Sequence, residues 1–252
     1  MGLTLAIVNQ KGGVGKTTTA INLGAALGAL EQKTLLVDCD PQGNATRGLG
    51  HSAGNPHLYH ALTGEVEPAE AIQSSGFPNL DLLPANRDLV GVEVEFVGHT
   101  GWETRLRDVL KKVSGQYHSI LLDCPPSLGH LTVNALTAAD EVLVPLQCEY
   151  FALEGISELM ATVQRVQGGI NPGLGINGIL LTMFDERTKL SKEVVAEIRN
   201  HFASKVYRTI VPRNVRLAEA PSHGVPIFQY DVSCRGARAY LGLAQEYLDR
   251  AA

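Results

Sequence analysis

The first thirty residues join a strand pattern to a helix pattern through a glycine-rich segment, and this arrangement restricts the fold more than any other feature of the chain. The run Leu3–Val8 is apolar and short enough for a buried strand, and after Thr18 alanine and leucine recur at spacings of three and four. Glycines between the two let successive backbone N–H groups converge on an anion at the helix N-terminus, where the helix dipole adds partial positive charge. The segment therefore predicts a phosphate-binding loop in an α/β protein.

The residues of this loop indicate how it would hold a nucleotide. The common Gly-x-x-x-x-Gly-Lys-Thr pattern requires glycine at position 10, where the chain has Gln10, and a compact Lys-Gly-Gly-x-Gly-Lys-Thr-Thr form is present instead. We expect Lys16 to bind the β- and γ-phosphates, the Thr17 hydroxyl to coordinate Mg²⁺ and Thr18 to hydrogen-bond the α-phosphate. The predicted nucleotide-binding residues at this stage are Gly12, Gly13, Val14, Gly15, Lys16, Thr17 and Thr18.

Short apolar runs alternate with helical patterns along the rest of the chain, which predicts parallel strands joined by helical crossovers. We expect one α/β domain spanning residues 1–252, a P-loop fold whose mostly parallel sheet of seven or eight strands is flanked by helices. Glycine, proline and asparagine predict surface loops at His51–Pro56, Ser74–Asn79 and Gly168–Gly175. The predicted strands are Leu3–Val8, Thr34–Val37, Leu80–Leu83, Ser119–Leu122, Glu141–Pro145, Ile176–Leu181 and Val206–Ile210.

Composition excludes several classes of protein. Lys and Arg number 21 and Asp and Glu 26, so the net charge is −5 and a uniformly basic nucleic-acid binder is excluded, although a local basic patch is not. The four cysteines form no Cys-x-x-Cys pair, so zinc and iron–sulfur sites lack the spacing they need. No apolar stretch approaches the ~20 residues that span a bilayer, and we expect a cytoplasmic protein.

Carboxylates follow two of the predicted strands. Asp38 and Asp40 come after Thr34–Val37, and Asp123 comes after Ser119–Leu122. Ligands of open parallel sheets bind at the carboxyl ends of the strands, so these side chains are predicted to face the phosphate loop. Since Mg²⁺ prefers oxygen ligands and retains waters, we expect Asp38 and Asp123 to hold Mg²⁺-bound water and Asp40 to orient the attacking water.

Several motifs along the chain form a recognisable set. The four most specific segments are Lys11–Thr18, Asp38–Asn44, Asp123–Ser127 and Pro212–Leu217, and the pattern continues through Gln147–Tyr150 and Ala220–Gly224. Together these motifs resemble the ParA/Soj chromosome-partitioning ATPases, and the resemblance runs nearly end to end. Such agreement is far more specific than a lone phosphate loop.

The resemblance implies an ATP-dependent sandwich homodimer in which Lys11 of one subunit reaches the phosphates bound by the other. It adds Lys11 to the nucleotide-binding residues and places the adenine against Pro212, Arg213 and Asn214. The loops after Asp40 and Asp123 match the two switch regions of the family, which γ-phosphate contacts would order. The expected cofactors are ATP and Mg²⁺, and the expected catalytic residues are Lys11, Lys16 and Asp40.

The resemblance also implies partners. Arginines that match Arg187 and Arg216 contribute to non-specific DNA binding in Soj-like proteins, and the C-terminal third of this chain concentrates much of its positive charge. The family's other partner is a ParB-like centromere-binding protein that stimulates hydrolysis. These implications predict binding to double-stranded DNA and association with the nucleoid.

Two alternatives stay open from the sequence. MinD-like ATPases share the loop but end in a basic amphipathic helix that lies on anionic membrane. The C-terminal segment of this chain carries more acid than base on its polar side, and it places Tyr240, Ala244, Tyr247 and Leu248 on one face, which predicts a packing helix and no membrane partner. A P-loop metabolite kinase or transferase would use the same loop but needs an acceptor pocket, for which we find no second group of residues.

Overall fold

The computed structural model describes residues 2–96, 98–149 and 152–251, with the side chains of residues 152–154 and 251 left undescribed, and within them eight strands form one sheet. Tyr150, part of one resemblance motif, lies outside the described residues. The strands are β1 (Leu3–Ile7), β2 (Thr34–Asp38), β3 (Gln73–Phe77), β4 (Leu80–Leu83), β5 (Ser119–Asp123), β6 (Glu141–Gln147), β7 (Gly175–Phe184) and β8 (Val206–Pro212).

Helices connect the strands and cover both faces of the sheet. The α-helices are α1 (Lys16–Ala29), α2 (Asn44–Gly48), α3 (Leu58–Thr63), α4 (Pro68–Ala71), α5 (Val90–Glu95), α6 (Arg105–Lys111), α7 (His130–Ala138), α8 (Ala152–Gln167), α9 (Lys189–Phe202), α10 (Val215–Glu219), α11 (Ile227–Tyr230) and α12 (Arg235–Ala251). Short 3₁₀ turns lie at Arg87–Leu89, Trp102–Thr104, Ser114–Gln116, Ala203–Lys205 and Ala220–His223.

The strand order is β3-β4-β2-β5-β1-β6-β7-β8. Every neighbouring pair is parallel except β3 with β4, which is antiparallel. The fold class predicted from alternating strand and helix patterns is therefore confirmed, and all seven predicted strands are present with small shifts at their ends.

One predicted loop is wrong in part. The segment Ser74–Asn79 was expected to be a surface loop, but most of it belongs to the edge strand β3. Its sequence Gln-Ser-Ser-Gly-Phe lacks the β-branched residues that favour strands, and pairing with β4 overrides that weak preference. The turn itself lies at Pro78 and Asn79, as these residue types indicated, and Asn79 has the left-handed φ of 56°.

The central strands β2 and β5 are buried at every position because helices cover both of their faces. On one face α1 and α12 pack together, and the Tyr240 hydroxyl lies 3.2 Å from the hydroxyl of Thr19. Tyr240, Ala244 and Tyr247 are buried, so the prediction of a packing C-terminal helix is confirmed. Among the described residues, no helix has both the length and the apolar content needed to cross a membrane.

Parallel pairing brings the carboxyl ends of β1, β2 and β5 to one edge of the sheet. Asp38 of β2 lies opposite Asp123 of β5, which in turn lies opposite Ile7 of β1. The phosphate loop follows β1 directly, so the two aspartates and the loop meet at this edge. The register alone thus places Asp38, Asp123 and the phosphate loop at the same edge of the sheet.

Candidate nucleotide site

The glycine-rich loop reverses direction through left-handed backbone conformations. Gly13 and Gly15 have φ values of 75° and 93°, which only glycine adopts without strain. Helix α1 begins at Lys16, and its N-terminus receives no side-chain cap. The first N–H groups of α1 have no acceptor within the helix, so they are available as donors for an anion.

Lys16 is buried in this loop, with 7% of its surface exposed. Its Nζ donates to the backbone carbonyl of Lys11 at 3.1 Å. Burial lowers the pKa of the Lys16 ammonium, while the negative charges of Asp123 and Asp40 oppose that shift. A cation held in a desolvated position beside free N–H donors is suited to bind phosphate oxygens.

Asp123 carries two buried carboxylate oxygens that have no hydrogen-bond partner of normal geometry among the described residues. Burial raises the pKa of this carboxyl well above its usual value, and the charge of Asp38 adds to the effect. The neighbouring Thr17 hydroxyl and the Lys16 ammonium act in the opposite direction. A buried carboxylate whose oxygens lack hydrogen bonds of normal geometry favours a cation beside it.

Both carboxylate oxygens of Asp38 accept hydrogen bonds from residues that follow β2. Its Oδ2 accepts from the Thr46 amide at 2.8 Å and from the Thr46 hydroxyl at 2.7 Å, while Oδ1 accepts from the Asp40 amide at 3.2 Å. Burial raises the pKa of the Asp38 carboxyl to about 6 although these hydrogen bonds lower it. Asp38 therefore holds the predicted first switch segment, the residues from Asp40 to Arg47, against the sheet.

Asp40 lies at the start of this switch segment and is buried. Its Oδ1 accepts from the Gln42 amide at 2.8 Å, and its carbonyl accepts from the Gly43 amide at 2.8 Å. The tight turn orients the carboxylate toward the glycine loop. Asp40 shares a cavity of about 290 Å³ whose lining residues are Gly12, Gly13, Gly15, Lys16, Thr17, Thr18, Asp40, Asn44, Pro126 and Met183.

A second cavity of about 340 Å³ adjoins the first, since Gly15, Thr18 and Met183 line both. Its walls are mainly apolar and include the segment Val211–Ala218, apart from Arg216, at the end of β8. The two cavities together offer a polar compartment for phosphates and an apolar one for a base.

Lys11 lies on the outer side of the loop. Its Nζ is 3.1 Å from Oε2 of Glu149, and 44% of the Lys11 side chain is exposed. Beside it, a Cβ built on Gly12 would meet no heavy atom within 4 Å. The loop therefore presents Lys11 and Gly12 at an open surface rather than inside the cavity.

Comparison with known proteins agrees with this geometry. A family model described as an AAA domain matches residues 2–176, more than half of the chain. The chromosome partitioning protein ParA of Caulobacter vibrioides (strain NA1000 / CB15N) is 53% identical over 251 residues, covering 98% of this chain and 94% of that protein. The chromosome-partitioning ATPase Soj of Treponema pallidum (strain Nichols) is 54% identical over 250 residues, covering 99% and 98%.

The chain belongs to the ParA/Soj family of chromosome-partitioning ATPases. A solved structure also resembles this ParA/Soj protein: cobyrinic acid a,c-diamide synthase from Mycobacterium smegmatis, crystallised with ADP and magnesium. It is 38% identical with a TM-score of 0.88, and the match covers 100% of this chain and 96% of that one. A solved relative with this fold thus binds ADP and magnesium.

The residues present here fit a magnesium ion. The Thr17 hydroxyl and the unpaired oxygens of Asp123 are hard oxygen donors beside the phosphate compartment. Within the part of the chain that the structure describes, no group of three or more histidine, cysteine, aspartate or glutamate side chains could hold a metal ion.

The structure brings most of the predicted site residues of this ParA/Soj protein together. Gly12, Gly13, Gly15, Lys16, Thr17, Thr18 and Asp40 line one or both cavities, and Pro212, Arg213 and Asn214 line the apolar one. Val14 is buried, and its carbonyl accepts from the Thr182 hydroxyl at 2.8 Å.

The two arginines predicted to bind DNA lie outside both cavities, and each is paired with carboxylates of its own chain. Arg187 binds Asp185 through two nitrogens at 2.9 and 2.7 Å, yet 82% of its side chain is exposed. Arg216 lies 2.9 Å from Glu219 and 3.6 Å from Asp231 and is half exposed. None of these three ion pairs was predicted from the sequence.

Sequence reasoning also missed residues that line the cavities. Thr182 and Met183 come from the end of β7, and Met183 has the left-handed φ of 51°. Tyr240 reaches the apolar cavity from α12. A signal was available for Thr182 and Met183, because they extend the predicted strand Ile176–Leu181 at the sheet edge where ligands bind.

Proposed function

We propose that this chain is the ATP hydrolase of a DNA-partitioning system. ATP closes two copies face to face, the closed dimer binds double-stranded DNA without sequence preference, and hydrolysis stimulated by a ParB-like partner releases the DNA. The observation that carries the proposal is the cavity where the loop glycines, Lys16 and Asp40 meet, beside the unpaired carboxylate of Asp123. Its relatives are named as chromosome-partitioning proteins, and Soj also as an ATPase, which supports the same conclusion.

The loop would bind the triphosphate. The N–H groups at the start of α1 and the Lys16 ammonium offer donors and positive charge to the β- and γ-phosphates. Thr17 and Asp123 would hold Mg²⁺ in company with phosphate and water oxygens, and Asp38 would stabilise its waters. The ion would neutralise charge that develops on the phosphates.

Asp40 is the residue proposed to orient the attacking water. It lines the phosphate cavity, and its backbone and side chain are fixed by the turn through Gln42 and Gly43. A carboxylate held rigidly near the γ-phosphate position can accept a hydrogen bond from water and align it. The switch segment that contains Asp40 would respond to the γ-phosphate for the same reason.

The open surface at Gly12 and Lys11 supports the sandwich dimer. No atom of the described residues occupies the space around the Cβ position of Gly12, so a partner subunit can approach it closely. Lys11 would then reach the phosphates of the partner, much as a cation supplied in trans accelerates phosphoryl transfer by ~10³–10⁵ in systems where it has been measured.

DNA binding is proposed to depend on the dimer. Single surface arginines bind duplex weakly, and joining two patches in one particle raises affinity through effective concentration. Arg187 and Arg216 are exposed, as phosphate contacts must be. Dependence on the dimer would link DNA binding to ATP.

The test combines particle size with DNA retention. Wild type with ADP, wild type with ATP, and Asp40→Ala with ATP are compared by light scattering and by binding to duplex DNA of random sequence. With ADP, we expect wild type to be a monomer that does not bind DNA. With ATP, we expect Asp40→Ala to form a stable dimer that binds DNA, and its rate of ATP hydrolysis should be lower than that of wild type by about 10²-fold or more.

A monomeric Asp40→Ala protein at saturating ATP would contradict the dimer, and equal DNA retention without nucleotide would contradict the link to ATP. A metabolite kinase would show neither response. A MinD-like membrane function is less well supported, because the inner face of α12 is buried against α1 and the sheet.

A further inference from the structure

The Lys11 ammonium is held by a carboxylate of its own chain. Nζ lies 3.1 Å from Oε2 of Glu149, 138 residues away in sequence. The side chains of Lys11 and Glu149 are 44% and 46% exposed, so the pair lies at the surface beside Gly12. Among the described residues, Glu149 supplies the carboxylate that pairs with Lys11.

Both members of the pair are anchored to the end of β6. The Gln147 side-chain amide donates to Oε1 of Glu149, and the Glu149 amide donates to the Gln147 carbonyl at 2.8 Å. On the other side, the Lys11 amide donates to Oδ1 of Asn9 at 2.9 Å, and the Asn9 amide group donates to the Pro145 carbonyl at 2.7 Å. Strand β6 therefore fixes the loop and the carboxylate in one frame.

This anchoring has an energetic consequence. Two mobile side chains at a surface lose entropy when they pair, which cancels most of the attraction. Here hydrogen bonds within the fold already orient Glu149 and the backbone of Lys11, so less freedom is lost when the ions meet.

We infer that Glu149 is a positioning residue that restrains Lys11 within its own subunit and so opposes formation of the sandwich dimer. The inference rests on the proposed function, in which Lys11 must reach phosphates across the dimer. One ammonium cannot bind Glu149 and a phosphate of the partner at full strength. Each dimer that closes must therefore break two Lys11–Glu149 pairs, and the restraint raises the protein concentration that dimerisation requires.

The test uses Glu149→Gln, which keeps the size of the side chain and removes its charge. The measured quantity is the protein concentration at which half the chains are dimeric with a slowly hydrolysed ATP analogue, by analytical ultracentrifugation. An exposed ion pair is worth a factor of about 1.4 to 5, and two pairs break, so we expect that concentration to fall by about 2- to 25-fold. The Kd of the monomer for the nucleotide should not change, and a loss of folding would change it.

Two controls isolate the pair. Glu67→Gln removes a comparable exposed ion pair with Lys112 at 2.9 Å, far along the chain from the loop, and should leave dimerisation unaltered. In a Lys11→Ala background, Glu149→Gln should no longer promote dimerisation, because the restrained group is gone. At high salt the gain from Glu149→Gln should shrink, since exposed ion pairs are screened.

The possible outcomes distinguish a failure of the restraint by Glu149 from a failure of the proposed function. If wild type dimerises with the analogue and Glu149→Gln dimerises no more readily, the restraint is refuted while the proposed function stands. If Glu149→Gln dimerises less readily, Glu149 supports the interface and the inference is wrong. If neither protein nor Asp40→Ala with ATP dimerises at any concentration, the proposed function fails and the inference fails with it.

Discussion

Thr46 binds Asp38 twice, through its amide at 2.8 Å and its hydroxyl at 2.7 Å. The same hydroxyl accepts from the Ala85 amide at 3.0 Å. One threonine on α2 thus connects the end of β2 to the segment after β4, and all of these atoms are buried. The two hydrogen bonds therefore fix the end of the predicted first switch segment, residues 40–47, to strand β2.

Replacing Thr46 by valine preserves the shape of the side chain but removes its hydroxyl. A hydrogen bond to a charged carboxylate is lost and the Ala85 amide is left unpaired, so the free energy of unfolding should fall by about 2–4 kcal/mol. Urea denaturation followed by circular dichroism measures the loss. Thr46→Ser keeps the hydroxyl and should lose less than half as much; equal losses would assign the effect to packing.

Lys16→Ala should abolish ATP binding while changing the free energy of unfolding very little. The ammonium is buried and its pKa is lowered by desolvation, so removing it relieves an unfavourable burial while one hydrogen bond to Lys11 is lost. We expect the free energy of unfolding to change by no more than about 1 kcal/mol. ATP binding, measured by titration calorimetry, should become undetectable. A Lys16→Ala protein that binds ATP with wild-type affinity would remove Lys16 from the phosphate site.

Gly12→Val tests the close approach of two subunits. A Cβ at Gly12 meets nothing within 4 Å and the backbone there is not left-handed, so the variant should fold and bind ATP normally. The added side chain should instead obstruct the partner and leave an ATP-bound monomer. Light scattering with ATP measures this outcome, and ATP-dependent dimerisation of Gly12→Val would count against the sandwich model.

Gly115→Val is the matched control for Gly12→Val. Gly115 also has open space around its Cβ position, but it precedes β5 and so lies at the opposite edge of the sheet from the phosphate loop. This variant should dimerise as wild type does. A comparable defect in both variants would mean that any bulk at the surface impairs assembly.

The fold and the phosphate side of the site could be predicted because each depends on local patterns and on one general rule. The periodicities of apolar residues predicted that strands alternate with helices. Parallel strands bring their carboxyl ends together, and this rule placed Asp38 and Asp123 beside the loop after β1. Glycine at positions 13 and 15 matched left-handed backbone that few other residues adopt. These inferences needed no knowledge of distant contacts.

The features that escaped prediction depend on distant contacts or on weak local preferences. Lys11 and Glu149 are 138 residues apart, and nothing in either segment indicates the other. Strand β3 forms because β4 offers an edge, although its own sequence favours a loop. Asp38 is predicted to hold Mg²⁺-bound water, and the fold also uses its carboxylate to bind Thr46, a contact that the sequence does not indicate. Side-chain roles of this kind follow only from the assembled structure.

The proposed DNA contact makes a prediction about Asp185. Arg187 is paired with Asp185 through Nε and one terminal nitrogen of its guanidinium group, and that pairing holds the pKa of the Asp185 carboxyl well below its usual range. Asp185→Asn should free Arg187 and raise the affinity of the ATP dimer for duplex DNA, whereas Arg187→Glu or Arg216→Glu should abolish binding without affecting dimerisation. Retained affinity in both charge reversals would place the DNA surface elsewhere.

The salt dependence of DNA binding measures the number of contacts between the dimer and DNA phosphates. If each subunit supplies about three phosphate contacts, the logarithm of the binding constant should fall with the logarithm of salt concentration at a slope near −5. Arg187→Ala would remove about two contacts from the dimer and bring the slope to roughly −3.5. Lys111→Ala on α6 is the control and should leave the slope unchanged. Fluorescence anisotropy of labelled duplex at several salt concentrations gives both values.

Glu246 on α12 should make stability depend on pH. Its burial alone would raise the carboxyl pKa, but the amides of Arg208 and Thr209, at 2.8 and 3.0 Å, and the Arg250 guanidinium bind the carboxylate and lower it. Because the folded pKa lies below the unfolded one, the stabilisation is complete above the unfolded pKa of ~4.3 and is lost as pH falls through the folded value.

Glu246→Gln should therefore lower the free energy of unfolding by about 2–3 kcal/mol at pH 7, where hydrogen bonds to a charged group are replaced by weaker ones. The difference from wild type should narrow steadily as the pH is lowered below 4.5, because wild type then loses the same charge. Urea denaturation at pH 7, 5 and 3.5 measures the trend. Glu197→Gln, an exposed substitution on α9, should stay within about 0.5 kcal/mol of wild type throughout. A penalty for Glu246→Gln that is constant with pH would show that packing, not charge, makes Glu246 important to the C-terminal helix.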